Sequence, residues 1–403
     1  MCADALIKRG DPPNPMENNK QTNSNNGQGG SQSLPPRSAD EAVDLINNLL
    51  QQRLVKEALE ISDQSIRSWP NDVALLSTCA LLAKNIGRTV ASLELLKRAE
   101  KLGSESAMLQ RQAIIDETAP YWHFRMMNDE VRNQAYDAAL KHYVKADSIV
   151  LDIGCGAGLL SMMAARAGAK HVYACEVHEL MHHQAEKIFK DNGFQDSITA
   201  IRQVSTQLKV GKHLPEKADI IVAEVFDTGL LGEKALSTFE HAREHLLKPG
   251  GKILPKKASV QAVLIESDLL HKESIVHECN GFNVEGLNEL SPSYIQARLD
   301  AYPHKVLSEI QTVAEFDFHQ SHLKHDIETI EIEPQTDGLA HAICFWFSLD
   351  FGHKNTLSTG PENEWNCWMQ AISAFESPIP LTKGQLLSID VHKTSDRISF
   401  KAK

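Results

Sequence analysis

The feature that most constrains this chain is a glycine turn behind a short apolar run. Ser148–Ile153 reads as a buried strand, and Val150-Leu-Asp-Ile-Gly154-Cys-Gly156-Ala-Gly158 then sets three glycines where a helix opens. Without a Cβ, glycine takes positive φ freely and lets a ligand approach the backbone. A strand ending in such a turn belongs to an open α/β sheet, which binds ligands beyond the carboxyl ends of its strands. The residues that follow keep the alternation. A helix runs to Arg166, then come a strand His171–Glu176, a helix His178–Asn192, and strands Ile198–Gln203 and Ala218–Val225. A helix Glu233–Leu247 is expected to stop at Pro249-Gly250-Gly251. The expectation is a doubly wound, Rossmann-like α/β domain over residues 119–255.

On either side the pattern changes. After Lys252 short β-rich runs dominate, among them Ser259–Ile265, Ala340–Asp350 and Gln385–His392, so 256–403 reads as a second, β-barrel-like domain. Residues 1–38 are rich in Asn, Gln, Gly, Ser and Pro and cannot bury enough apolar surface to offset chain entropy, which predicts a disordered tail. Residues 39–118 show helical spacing, as in Val43–Ile46–Leu49–Leu50 and Leu54–Ala58–Ile61. Small residues recur there with a period of 34, Ala58 with Ser92 and Ser65 with Ala99. That period resembles tetratricopeptide repeats, although their large aromatic positions are missing; an unrelated array of helical hairpins is the alternative.

Composition closes off several classes. Lys and Arg number 41 against 53 Asp and Glu, a net charge of −12, which disfavours a nucleic-acid surface and suits cationic peptides. No apolar stretch is long enough to span a membrane. The seven cysteines form no CxxC pair, so neither a zinc module nor a disulfide framework is expected, and a reducing compartment fits. His182-His183 and His241/His245 lack a third ligand at metal spacing, so no metal is expected.

The chemistry gathers at the sheet edge. A dinucleotide fingerprint would need its third glycine one place later than Gly158, where Leu159 stands; the observed spacing favours the turn of S-adenosylmethionine methyltransferases. Glu176 ends the second strand 22 residues after Gly154, where a carboxylate can accept both ribose hydroxyls of a nucleoside. Glu224 and Glu233 stand nine apart around a Gly-containing loop with Asp227 between them. Close carboxylates repel unless a cation lies between them, and a planar guanidinium matches carboxylate forks. The loop is therefore suited to arginine.

Taken in order, these residues resemble the protein arginine N-methyltransferase family over roughly 120 to 403. The resemblance rests on His123-Phe-Arg-Met126-Met127-Asn-Asp129-Glu-Val-Arg132, Tyr173-Ala-Cys-Glu176, the double-glutamate loop, Lys248-Pro-Gly-Gly, and Ser358 through Trp368-Met-Gln370. It implies S-adenosyl-L-methionine as cofactor, held by Arg132 with His123 assisting, by Gly154 and Gly156, by Glu176 at the ribose, and by Ser205 and Thr206 near adenine. It implies that Glu224 and Glu233 clamp the substrate guanidinium, with Met126, Asp227 and Trp368 shaping the acceptor pocket. Asn366 and Cys367 stand where the family has Thr and His.

Phe226-Asp227-Thr228 is similar to two divergent members, the seventh and the ninth in the usual numbering; the ninth, with its tetratricopeptide repeats, is the nearer match. That likeness implies symmetric dimethylarginine, made through monomethylarginine, on an arginine-containing protein. The alternatives are a monomethylating enzyme and a repeat-based adaptor with a dead methyltransferase fold. Both members carry a second, degenerate module that these 403 residues do not include, so the chain reads as a shorter relative or a piece. A homodimer is expected through residues 256–403, and a cytoplasmic location, extending to the nucleus, is expected too.

Overall fold

The computed structural model describes residues 35–321, 325–363 and 365–403. The expected disordered tail lies outside these residues except for its last four. Two compact units divide near Pro120.

The first unit is helical: α1 (Ala39–Gln51), α2 (Val55–Ser68), α3 (Val73–Asn85), α4 (Thr89–Lys101) and α5 (Glu105–Thr118). Side-chain caps start three of them. Ser38, Asp72 and Ser104 accept from the backbone N–H groups of Glu41, Leu75 and Ala107, satisfying donors that a helix start leaves orphaned. Ala58, Ser65, Ser92 and Ala99, the small residues of the 34-residue period, are all buried.

The second unit opens with α6 (Trp122–Met127) and α7 (Glu130–Tyr143). It continues through β1 (Ile149–Ile153), α8 (Leu159–Arg166), β2 (His171–Glu176), α9 (Glu179–Asp191), β3 (Ile198–Arg202), β4 (Ala218–Ala223), α10 (Ala235–His241) and β5 (Leu247–Leu254). The sheet is parallel, ordered β3-β2-β1-β4-β5, with all five residues of β1 buried. Strand order therefore reverses beside β1, which puts the glycine turn and the loop after β4 next to each other at the carboxyl edge. That is where doubly wound sheets bind ligands.

Two expected boundaries moved. The helix predicted for 233–247 begins at Ala235 and passes into a π-turn at Ala242–Leu246, leaving Glu233 in the loop ahead of it. Pro249-Gly250-Gly251 does not merely end that helix but lies inside β5. The parallel register there jumps between Ala218 and Ile220, and Gly250 at φ +76° absorbs the bulge.

The remaining strands are antiparallel and barrel-like. β6 (Lys257–Glu266) leads through α11 (Asp268–Lys272), β7 (Glu278–Cys279), β8 (Phe282–Asn283) and β9 (Ile295–Ala297) to β10 (Lys305–Val306) and β11 (Gln311–Asp317). β12 (Asp326–Ile332), β13 (Gly338–Gly352), β14 (Asn355–Ser358), β15 (Gln370–Leu381), β16 (Leu387–Lys393) and β17 (Ile398–Ala402) complete it. The larger sheet runs β10-β6-β13-β15-β9, and a second one runs β12-β16-β17. One core serves the α/β and β halves. Phe226, Phe239, Phe318 and Phe347 pack ring against ring, stacked or tilted, at centroid distances of 4.3–6.0 Å across their boundary.

Candidate active site

Three glycines with positive φ follow β1, at 72°, 52° and 83° for Gly154, Gly156 and Gly158. A Cβ on Gly156 would sit 2.9 Å from His123 Nε2, so this turn and α6 approach as closely as backbone permits. The Gly156 N–H donates to Glu176 Oε2 at 2.9 Å, and the His178 N–H donates to Oε1 at 2.8 Å. Glu176 is thus a buried, oriented carboxylate at the end of β2. Ser205 and Thr206 lie on the short 3₁₀ turn after β3, and the Gln203 N–H ties the approach to that turn to the Glu176 carbonyl at 3.3 Å.

Arg132 sits on the first turn of α7, 2% exposed. Its Nη2 donates to Glu224 Oε2 at 2.7 Å and its Nη1 to Asn133 Oδ1 at 2.8 Å, while its Nε is buried with no partner. An orphaned guanidinium N–H in a buried cleft is a donor waiting for an anion. Burial acts most strongly and lowers the pKa of Arg132, but the charge and hydrogen bond of Glu224, with Tyr136 and Cys367, together outweigh it and the pKa is raised. Tyr136 supports the guanidinium from below, 5.3 Å from ring centroid to Cζ, and its hydroxyl donates to the Ala223 carbonyl at 3.2 Å.

The acceptor loop leaves β4 at Glu224 and is tied to the β half. Trp368 Nε1 donates to the Phe226 carbonyl at 2.7 Å, and the Thr228 hydroxyl donates to the Trp368 carbonyl at 2.8 Å. The Gly232 N–H donates to Asp227 Oδ1 at 2.7 Å, and Tyr294 donates its hydroxyl to Asp227 Oδ2. Glu233 keeps solvent access as a residue. Desolvation of its carboxyl, followed by the charges of Glu224, Asp227 and Glu176, still pushes it up to about 7. Clustered carboxylates of this kind make a cation site.

The structure brings His123, Arg132, Gly154, Gly156, Glu176, Glu224, Asp227 and Glu233 together, places Ser205 and Thr206 on the turn after β3, and gives Met126 and Trp368 an indirect part. Met126 is the buried residue of α6, and Trp368 serves the loop through its indole N–H and carbonyl. Sequence reasoning passed over three groups. Asp129 caps α7 by accepting from the Arg132 N–H at 2.9 Å and also accepts from the Cys367 N–H at 2.8 Å. Asp152 is fully buried on β1, accepts from the Ser161 hydroxyl at 2.6 Å, and is pushed up to about 7 chiefly by burial. Tyr294 is the third. Asp129 stands three residues before Arg132 at a helix start, a capping signal that could have been read; the other two had none.

Comparison with known proteins agrees with this geometry. Residues 138–255 match the family model of ribosomal protein L11 methyltransferase, and 256–402 match the arginine methyltransferase oligomerization subdomain. An arginine N(omega)-methyltransferase of Streptomyces achromogenes subsp. streptozoticus is 40% identical over 271 residues, covering 67% of this chain and 75% of that protein. The chain belongs to the arginine N-methyltransferase family. As a member it is an arginine methyltransferase whose cofactor is S-adenosyl-L-methionine.

Protein arginine N-methyltransferase 7 of Danio rerio is 31% identical over 299 residues, covering 66% of this chain and 43% of that one. Protein arginine N-methyltransferase 9 of Homo sapiens is 26% identical over 355 residues, covering 79% and 42%. The chain thus spans less than half the length of these two relatives. Among solved structures, the Trypanosoma brucei PRMT1 enzyme–prozyme heterotetrameric complex with AdoHcy superposes at a TM-score of 0.59 with 25% identity, covering 70% of this chain and 96% of that one. The cleft fits the cofactor on its own geometry: an unpaired Arg132 Nε and a buried carboxylate at Glu176.

Proposed function

We propose that the chain methylates arginine side chains of protein substrates, carrying them through monomethylarginine to symmetric dimethylarginine, as a homodimer in the cytoplasm and nucleus. The observation that carries the reading is the acceptor loop, where Glu224 and Glu233 bracket a turn bearing Asp227, and desolvation of the Glu233 carboxyl with the neighbouring carboxylates pushes it up to about 7. When bound, S-adenosyl-L-methionine supplies an electrophilic methyl on a sulfonium. Arg132 meets the cofactor's carboxylate through its unpaired Nε, and Glu176 meets the ribose. Gly154 and Gly156 would line its amino-acid end, with His123 beside Gly156, and Ser205 and Thr206 would meet adenine.

A free guanidinium, with a pKa of about 13.8, spreads its lone pairs and is a poor nucleophile. Glu224 and Glu233 draw its charge to the far nitrogens and aim the remaining one. Met126 and Trp368 confine it. The symmetric product is read from the likeness to the ninth-type relative, whose match covers 79% of this chain and so reaches into its helical unit; Phe226-Asp227-Thr228 is similar to the seventh and ninth types alike. The helical unit is read as tetratricopeptide-like.

The Streptomyces relative favours a second reading, because its name specifies arginine rather than protein arginine. In that reading the acceptor is free arginine. Mass spectrometry after incubation with free arginine and with an arginine-containing peptide separates the two, and fragmentation of the peptide product tells symmetric from monomethyl product. Glu224→Gln should lower turnover by about a hundred-fold, the scale of losing one preorganised electrostatic group. Near-normal turnover would mean that Glu224 is not part of the clamp, and a wild type without turnover on either acceptor would return the adaptor reading.

A further inference from the structure

Tyr294 comes from outside the α/β sheet. It immediately precedes β9, which pairs with β15 through Ile295–Ala297 against Gln370–Ile372. The ring stands edge-on to Phe345 at 5.5 Å and lies so close to Gly229 that a Cβ there would meet it at 2.5 Å. Its hydroxyl donates to Asp227 Oδ2, whose other oxygen accepts the Gly232 N–H. A Cβ on Gly232 would fall 2.5 Å from Asp227 Oδ2, so the carboxylate is folded back onto its own loop. Phe226 and Thr228, on either side, are bonded to Trp368.

From this geometry we infer that Tyr294 is a positioning residue for the acceptor: it keeps Asp227 turned into the loop, so that Glu224 and Glu233 alone present carboxylates to the guanidinium. This rests on the reading that Glu233 receives the substrate. Without the hydroxyl, Asp227 is free to swing toward the cleft as a third carboxylate, and its charge acts on Glu233 undamped. The ionisable groups around Glu233 are Glu224, Asp227 and Glu176, with Arg132 paired to Glu224; Arg397 acts on Tyr294 itself. Burial and the Asp227 contact both raise the Tyr294 pKa, so the hydroxyl keeps its proton and remains a donor through the working range.

The test is Tyr294→Phe, which keeps the ring, with initial rates on an arginine peptide across pH. The expected result is a change of about ten-fold in KM, the scale of a hydrogen bond to a charged group, with a smaller change in kcat. The acidic limb of kcat/KM should move up by about half a pH unit, because an undamped Asp227 charge raises Glu233 further. Asp227→Asn in that background should bring the limb back below its wild-type position. A merely structural role would lower kcat and the melting temperature without moving the limb. An unmoved limb and unchanged KM in Tyr294→Phe, with Glu233→Gln inactive, overturns the inference alone. An active Glu233→Gln with an unmoved limb overturns the underlying reading as well.

Discussion

Glu233 is the residue on which the chemistry of the cleft turns. Its carboxyl stands at about 7 rather than the ordinary 4.5, raised by desolvation and then by Glu224, Asp227 and Glu176. Between those two values the folded chain holds a proton that the unfolded chain has released. Ionising Glu233 therefore costs stability as pH rises through the window, and above about 7 the full cost is present. A guanidinium bound beside it reverses the sign, because an opposite charge restores the ionised form. Binding of an arginine peptide should release a proton near neutrality, and affinity should climb from about pH 5.5 to about 7.5 and then level off. Titration calorimetry in two buffers of different ionisation enthalpy measures that proton directly. Glu233→Gln should abolish the release; release that persists there would assign it elsewhere. Asp152 is also pushed up to about 7, chiefly by burial, but it is wholly enclosed on β1 with the Ser161 hydroxyl on it, so the Glu233→Gln control separates the two.

At the scale of elements, α7 organises the cleft. It carries Arg132 and Tyr136, is capped by Asp129, and is held against the β half by Asn355 Nδ2 donating to the Ala135 carbonyl at 2.7 Å. Asp129 does two things with two oxygens: it starts the helix and receives the Cys367 N–H. Asp129→Ala should cost about 1 kcal/mol from the lost cap, and more from the freed Cys367 N–H. Asp129→Asn keeps one acceptor oxygen and should retain the cap while loosening the Trp368 loop. Differential scanning calorimetry together with cofactor affinity distinguishes the two; equal effects would mean that the cap contributes nothing and the Cys367 bond carries the whole loss. The elements themselves were largely legible in the sequence. His171–Glu176 was read to the residue, because period-two burial and parallel packing leave a plain apolar signature. The bridges between elements were not. Asp129–Cys367 and Tyr294–Asp227 join positions 238 and 67 residues apart, and no local pattern announces a partner at that distance. Glu176 was legible because it ends β2 beside the glycine turn, and Glu224 with Glu233 because they flank a Gly-containing loop at the same sheet edge; Arg132 came from the family resemblance alone.

For the whole molecule, the remaining question is what covers the segment from Asp268 to Ala297. It projects α11, the β7–β8 hairpin and a 3₁₀ turn at Glu285–Leu290, and it leaves Phe282, Leu287 and Leu290 70%, 58% and 79% exposed. With Leu269, also exposed, these make four large apolar side chains on one short excursion, more than scattered surface residues, and they lie inside the stretch that matches the oligomerization subdomain. A two-fold pair of such segments would each meet the partner's surface by the same contacts, closing the assembly as a dimer. A stable pair buries about 800 Å² per partner, and such apolar anchors can form its centre. Tyr294 stands near the end of this segment with its hydroxyl on Asp227, so seating the segment also steadies the acceptor loop. Light scattering should give a dimer for the wild type and a monomer for Phe282→Glu with Leu290→Glu. Both exposed positions tolerate charge in the folded chain, so circular dichroism and melting temperature should be little changed. Methyl transfer should fall with dimer content and recover as protein concentration rises. A fully active monomer would show that the segment neither pairs the chains nor supports the site.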